Sequence, residues 1–167
     1  MNKFVLDACA LITLLNKESG YEKINDLLTR AELREISVCI NMVNLLEVYY
    51  DRNETPRRKQ RGIVSGITLF FSPQAAGNLP LEIKVSNLER ADMFLETIYD
   101  SYIEILEQQN KEILRNAGIL KAKYKISLAD SFALSTAIYK KAVLITTDHH
   151  EFDIIEQNKD IDFLWIR

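Results

Sequence analysis

Short apolar segments alternate with helical segments along this chain, and that alternation is the feature that most constrains the fold. The apolar segments have the length and composition of strands in a sheet interior: residues 3–8, 34–42, 142–148 and 162–166. Strands that alternate with helices form parallel sheets with helices on both faces. The pattern therefore predicts an α/β fold, a three-layer αβα sandwich with a mostly parallel central sheet.

The helical segments differ in how clearly they are marked. Apolar periodicity predicts helices over 20–32, 41–51 and 128–141, and it predicts one long helical segment over 87–114, with Gly118 between two further helical stretches. The middle of the chain is less regular. It predicts a helix over 55–66 and a strand or loop over 67–71. A loop with two of the three prolines follows over 72–80, and a strand over 81–86.

Composition limits the class of protein. The chain has 167 residues, of which 47% are hydrophobic and 27% charged, which predicts one globular domain over 1–167. No apolar run reaches the roughly 20 residues of a membrane span, and no signal peptide is recognisable, so a cytoplasmic protein is expected. Cys9 and Cys39 stand in apolar surroundings that favour buried thiols. A disulfide between them is the alternative if their strands are neighbours.

The charge balance bears on nucleic-acid binding. The net charge is −3, so the broad basic surface typical of nucleic-acid binders is not expected. One dense basic run, "RRKQR" at 57–61, is either the polar face of a helix or a phosphate contact. Binding to nucleic acid would then be local and assisted by a metal ion.

Four acids stand where a parallel sheet collects ligands. Asp7 ends the first strand, Asp148 ends the strand 142–148, and Glu47 follows the second strand by one or two helical turns. Asp130 lies in the first turn of the helix that begins after Ser127, its predicted N-cap. Because parallel strands bind ligands at their carboxyl ends, these acids are expected to converge at one sheet edge.

Each acid also has a simpler explanation when taken alone. Asp130 could serve as a helix N-terminal acid, Asp7 and Asp148 as turn or cap residues, and Glu47 as a solvated helix residue. As a cluster, the four carboxylates would repel one another, and a divalent cation would remove that repulsion. Oxygen ligands of this kind select Mg²⁺ or Mn²⁺.

Four motifs carry a resemblance to a known family. The segments "VLDACALI", "NLLEVYYD", "KYKISLADSFALSTA" and "LITTDHHEFD" resemble the acidic motifs of the PIN-domain ribonucleases, and most closely those of the VapC-like toxins of prokaryotic toxin–antitoxin pairs. The resemblance covers residues 1–51 and 111–167, whereas 52–110 diverges. It implies a PIN-like fold, with Asp7, Glu47, Asp130 and Asp148 as the catalytic, metal-binding acids.

The resemblance also implies an activity and partners. The implied activity is Mg²⁺- or Mn²⁺-dependent endoribonuclease action on RNA, with tRNA among the candidate substrates. The implied partners are a cognate antitoxin that covers the acidic pocket and a second copy of the chain in a homodimer. Thr146 matches a hydroxyl that supports the site. The residues Ala8-Cys9-Ala10 depart from the family pattern, because a small polar residue often follows the first aspartate.

Other classes of function fit the sequence less well. The first alternative is a PIN-like scaffold that binds nucleic acid or protein without cutting. A phosphoacceptor domain would need adjacent acids after its first strand, and a nucleotide-dependent enzyme would need a glycine-rich phosphate loop. His149 and His150 lack partners for a zinc site and are predicted to lie in a rim loop, with Glu151 and Asp153 as exposed loop acids.

Overall fold

The computed structural model describes residues 1–54, 87–107, 110–157 and 161–167 of the chain. Five strands in these ranges form one parallel sheet: β1 (Asn2–Leu6), β2 (Ile36–Asn41), β3 (Ile103–Leu106), β4 (Val143–Thr146) and β5 (Phe163–Trp165). Their order in the sheet is β3-β2-β1-β4-β5. The predicted parallel α/β architecture is confirmed.

Helices connect these strands. They are α1 (Ala8–Asn16), α2 (Tyr21–Glu32), α3 (Met42–Glu54), α4 (Asn87–Tyr99), α5 (Lys111–Tyr124), α6 (Leu128–Lys140) and α7 (His149–Gln157). Within the described ranges, none of them is both long and apolar enough to cross a membrane.

Two hydrophobic cores lie on opposite faces of the sheet. Successive strand side chains point to opposite faces, so Leu6 of β1 enters one core and Val5 enters the other. The core around Leu6 is closed by apolar residues of α1, α2, α3 and α4. The core around Val5 is closed by residues of α5, α6 and α7. These three layers form the αβα sandwich that the sequence predicts.

The prediction of one helix over 87–114 is wrong. Helix α4 ends at Tyr99, strand β3 follows at Ile103–Leu106, and α5 begins after Asn110, whose side chain accepts a hydrogen bond from the Ile113 N–H at 2.8 Å. The segment "IEIL" has a single charged residue among three apolar ones, and it is short and lies between two helical sequences. Pairing with β2 therefore decides its conformation.

Other sequence predictions have mixed outcomes. Gly118 lies inside α5 and does not separate two helices. Cys9 and Cys39 are both free thiols. The basic run 57–61 and the elements predicted over 55–86 lie outside the described residues.

The strand order places a crevice between β1 and β4. From β1 the sheet grows through β2 and β3 on one side and through β4 and β5 on the other. Leu6 pairs with Ile145, and the Asp7 N–H donates to the Ile145 carbonyl at 3.0 Å. The chain leaves both strands at the same sheet edge and turns to opposite faces, which is where parallel α/β sheets bind ligands.

Gly20 provides a test of the packing between the start of α2 and the end of β5. Its φ is +89°, and a Cβ at this position would lie 2.5 Å from the Ile166 carbonyl oxygen. Gly20→Ala is expected to lower the free energy of unfolding by about 2 kcal/mol or more, since left-handed backbone alone costs an L-residue about 1–2 kcal/mol. Urea unfolding measures this change.

Gly118→Ala is the matched control. A Cβ at Gly118 would meet nothing within 4 Å, and the residue is inside α5. Because glycine is a poor helix former, this substitution is expected to raise the free energy of unfolding by about 0.5–1 kcal/mol. Changes of the same sign in both variants would contradict the described contact between Gly20 and Ile166.

Candidate functional site

Asp7 lies at the centre of the crevice and is almost completely buried, with 2% of the residue exposed. Its Oδ1 accepts hydrogen bonds from the Ala8 N–H at 2.7 Å and from Asn44 Nδ2 at 3.2 Å. Its Oδ2 accepts from Cys9 Sγ at 2.9 Å and from Thr146 Oγ1 at 3.0 Å. Four donors from three parts of the chain, α1, α3 and the end of β4, therefore share one carboxylate.

The environment of Asp7 disfavours its charge in spite of these donors. Burial raises the pKa of the Asp7 carboxyl, and the neighbouring charge of Asp130 raises it further, to about 6. The hydrogen bonds from Cys9, Thr146 and Ala8 act in the opposite direction and lower the pKa. Desolvation and like-charge repulsion prevail, as is common where acids are gathered for function.

Asp130 occupies the first turn of α6. Ser127 is the N-cap, as predicted, and its Oγ accepts a hydrogen bond from the Asp130 N–H at 3.0 Å. Burial raises the pKa of the Asp130 carboxyl, hydrogen bonding to Ser127 lowers it, and the charges of Asp148 and Glu151 raise it again. Asp130 thus interacts electrostatically with Asp148 in addition to Asp7.

Asp148 is held by the end of β4 and the start of α7. Its N–H donates to Thr146 Oγ1 at 3.1 Å, and its Oδ1 accepts from the Glu151 N–H at 3.2 Å. The Thr146 hydroxyl therefore accepts from the backbone of Asp148 and donates to the carboxylate of Asp7. This contact gives a structural reason for the supporting role that the sequence predicts for Thr146.

Cys9 takes part in the same network. Its Sγ lies 3.2 Å from Thr146 Oγ1 and accepts from the Thr147 N–H at 3.2 Å, besides donating to Asp7. Burial raises the pKa of the Cys9 thiol, and the charge of Asp7 helps to raise it to about 12. The thiol is thus neutral near pH 7, and its S–H can donate the hydrogen bond to Asp7 Oδ2. Cys9 occupies the position at which the sequence departs from the family pattern.

Asn44 is a part of the site that the sequence reasoning missed. It is fully buried on α3, and its Nδ2 donates to Asp7 Oδ1 and, at 3.1 Å, to the Ala129 carbonyl. Among the residues that the structure describes, its own Oδ1 has no hydrogen-bond partner. The available signal was an asparagine in an apolar helical stretch, three residues before Glu47 and so on the same helix face.

Glu47 is placed differently from the three aspartates. It is exposed on α3, one helical turn beyond Asn44. The structure therefore links Asp7, Asp130 and Asp148 through their charges, and it connects the helix of Glu47 to Asp7 through the Asn44 amide. The metal-binding role of all four acids stays a prediction.

The residues present fit a hard divalent cation in their chemistry. The available ligands are carboxylate oxygens, and burial together with neighbouring acids raises the pKa values of the Asp7 and Asp130 carboxyl groups. Within the described part of the chain, however, no three His, Cys, Asp or Glu side chains are already arranged around one metal position. Binding a cation would require these carboxylates to turn toward one another.

The prediction of a rim loop at His149 and His150 is wrong, because both residues begin α7. The His149 Nδ1 lies 2.8 Å from Asp153 Oδ1, and its Nε2 lies 3.0 Å from the Arg167 carbonyl. These two bonds raise the pKa of the His149 imidazole, and Asp153 contributes most. Glu151 and Asp153 are likewise helical, and the Glu151 side chain is only 31% exposed.

Comparison with known proteins now identifies the family. A model of the PIN domain matches residues 4–157. The chain belongs to the PIN domain family. Among curated proteins, no match was found.

Solved structures share the fold of this PIN domain. It is similar to a chain of DNA-bound VapBC from Salmonella typhimurium, with a TM-score of 0.62, 17% identity and 100% of both chains covered. It is also similar to a chain of promoter-DNA-bound VapBC2 from Rickettsia felis, with a TM-score of 0.58, 17% identity and 97% of both chains covered. For a toxin–antitoxin complex from Klebsiella pneumoniae the TM-score is 0.53 at 17% identity, with 98% of this chain and 97% of that chain covered.

The raised pKa of Asp7 predicts a pH dependence of stability. The pKa is about 6 in the folded protein against 3.8 in the unfolded chain, so the folded state retains a proton that the unfolded state has lost. The free energy of unfolding should therefore fall as the pH rises from about 4 to 6, by up to about 3 kcal/mol from Asp7. Asp7→Asn removes this contribution.

Urea unfolding in EDTA between pH 4 and 8 tests this prediction. The stability of Asp7→Asn relative to the parent protein should rise across the interval and level off above it. Asp26→Asn, at an exposed acid of α2, is the matched control and should follow the parent. Parallel curves for Asp7→Asn and the parent would show that Asp7 ionises normally in the folded protein.

Proposed function

We propose that this PIN domain is a metal-dependent endoribonuclease that hydrolyses phosphodiester bonds in RNA. The observation that carries the proposal is the interacting set of Asp7, Asp130 and Asp148 at the sheet edge between β1 and β4, with the pKa values of Asp7 and Asp130 raised. Membership of the PIN domain family supports it.

In this proposal Asp7, Glu47, Asp130 and Asp148 are the ligands of Mg²⁺ or Mn²⁺. A bound cation of this kind lowers the pKa of an attacking water and stabilises charge on the leaving oxygen. In-line attack on phosphorus would give a 5′-phosphate and a 3′-hydroxyl, as the family resemblance implies. The buried position of Asp7 excludes bulk water from one side of the site.

The neighbouring residues position these carboxylates. Thr146 and Cys9 hold Oδ2 of Asp7, and Asn44 restrains Oδ1. Ser127 fixes the start of the helix that presents Asp130. Oriented carboxylates lose less freedom when they bind a ligand, so this network would favour the geometry that in-line hydrolysis requires.

We further propose that the chain is the toxin of a toxin–antitoxin pair, that a cognate antitoxin covers the acidic edge, and that the protein forms a homodimer. The support is the shared fold with chains of VapBC and of a toxin–antitoxin complex. RNA is the proposed substrate, with tRNA among the candidates. Light scattering of the purified protein tests the homodimer, and co-purification with the product of a neighbouring gene tests the antitoxin.

The second candidate is a PIN scaffold that binds without cutting. It is favoured by the observation that the described residues form no ready three-residue metal cluster, and that Asp148 Oδ1 is already occupied as the cap of α7. A scaffold would bind nucleic acid or protein and show no metal-dependent hydrolysis.

Cleavage of a mixed RNA and tRNA pool distinguishes these functions. With Mg²⁺ or Mn²⁺ the parent protein should cut, and EDTA should abolish cutting. Asp7→Asn and Asp130→Asn should each lower the rate at least about a hundredfold, because loss of an oriented charge at a catalytic site typically costs several kcal/mol.

Asp26→Asn serves again as the control, since it removes the same charge from an exposed helix position and should leave cleavage unchanged. Cutting that persists in EDTA, or equal trace activity in all proteins, would reject the four-acid mechanism. Mn²⁺ binding without any cleavage would favour the scaffold.

A further inference from the structure

Three aromatic rings stack in a row beside the acidic edge. The rings of Phe163 and Trp165, both on β5, lie 5.2 Å apart between centroids with an interplanar angle of 12°. The indole of Trp165 and the imidazole of His149 lie 4.0 Å apart at 13°. His149 is the first residue of α7 and directly follows Asp148. The row therefore ends beside a proposed metal ligand.

The His149 ring is fixed on three sides and open on the fourth. One face lies on Trp165, Nδ1 lies 2.8 Å from Asp153 Oδ1, and Nε2 lies 3.0 Å from the Arg167 carbonyl oxygen. Half of the His149 side chain, 50%, is nevertheless exposed. Because the indole covers one face and the two nitrogens have polar neighbours, we assign this exposure to the face turned away from Trp165.

We propose that the open face of His149 is a stacking platform for a nucleobase of single-stranded RNA next to the cleaved phosphodiester. This inference rests on the proposed nuclease function. His149 directly follows Asp148 at the start of α7, so RNA with a phosphodiester at the carboxylates would have a flanking nucleotide near this residue. Aromatic faces beside a backbone site bind bases in this way in many single-strand-binding proteins.

The charges around the platform favour a base over a phosphate. Glu156 accepts a hydrogen bond from Trp165 Nε1 at 2.7 Å, and Asp153 lies against the imidazole. The nearby Arg167 guanidinium is paired with Glu18 at 2.9 Å. A phosphate would meet these carboxylates and find the Arg167 guanidinium already paired, whereas a neutral base can stack on the ring without repulsion from them.

The platform is also held rigidly. Lys23 Nζ donates to the Trp165 and Ile166 carbonyls at 3.3 Å and 3.0 Å, which ties the end of β5 to α2. The Ile166 N–H donates to the Thr146 carbonyl at 3.1 Å, so the same segment is fixed to β4. A ring that is already ordered loses little conformational entropy when a base stacks on it.

Binding of two fluorescein-labelled hexamers tests the platform. One is hexa-adenylate RNA, and the other is an abasic ribose-phosphate hexamer of equal charge. Both are titrated by anisotropy against Asp7→Asn protein, which prevents cleavage. Hexa-adenylate should bind more tightly than the abasic hexamer, and His149→Leu should reduce this base-dependent ratio of Kd values by about 5- to 150-fold, the range expected for one base stack.

Two further variants separate stacking from folding. His149→Phe keeps an aromatic ring and should retain the preference for hexa-adenylate. His150→Leu is the matched control, because the His150 side chain is 93% exposed on the neighbouring helix position, and it should leave the ratio unchanged. Urea unfolding of each variant checks that the fold is intact.

An unchanged ratio in His149→Leu would overturn the platform, and so would equal weakening of both hexamers, which indicates a structural role. Failure of hexa-adenylate to bind more tightly than the abasic hexamer to the protein that retains His149 would overturn it as well. The cleavage assay on the mixed RNA pool is independent of this ratio. Metal-dependent cutting together with an unchanged ratio would therefore reject the platform and leave the nuclease in place.

Discussion

The buried carboxylate of Asp7 is the interaction on which the site depends. Burial of an ion is costly unless hydrogen bonds replace its water, and here the replacements come from α1, α3 and the end of β4. Each donor belongs to a different segment, so the requirement to solvate one carboxylate fixes the mutual position of those segments. The same contacts bring Asn44 to Asp7 and place the helix of Glu47 beside the crevice.

A second consequence follows from the charges. The donors do not fully compensate Asp7, because desolvation and Asp130 leave its pKa at about 6. The pKa of the Asp130 carboxyl is in turn raised by burial and by the charge of Asp148. The two hydrophobic cores hold the strands and helices in place against this repulsion. Gathering these acids at the sheet edge therefore lowers the stability of the fold, and packing does not require acids there. Such a cost is typical of a functional site.

The sequence predicts the parts of the molecule that depend on local pattern. Strands β1, β2 and β4 are runs of apolar residues, many of them β-branched, and Ser127 before Asp130 is a local capping signal. Strand β3 was missed because four residues between two helical sequences carry too little periodicity, and its pairing with β2 is a tertiary effect. The position of His149 was missed for a similar reason, since the stack on Trp165 joins residues of different elements.

The network at Asp7 could be predicted only in part. The motifs single out Asp7, Thr146 and Asp148, but the register of Leu6 with Ile145 decides that the Thr146 hydroxyl reaches Asp7. The roles of Cys9 and Asn44 depend on that register too, and neither residue type is diagnostic by itself. Asn44 is informative only once α3 is known to cross the carboxyl end of β1.

The hydrogen bonds at the site also bear on how it could take up a cation. Asp7 Oδ1 accepts from the N–H of Ala8 and Asp148 Oδ1 accepts from that of Glu151, so both carboxylates serve as helix caps. A cation must share these oxygens with the caps or displace them, and a cap contributes about 1 kcal/mol. Burial and the charge of Asp130 together raise the pKa of Asp7 to about 6, and the positive charge of a cation would act against both effects. In the proposed function, cation binding therefore competes with the caps at Asp7 and Asp148, and it is favoured by the burial and like-charge repulsion that act on Asp7 and Asp130.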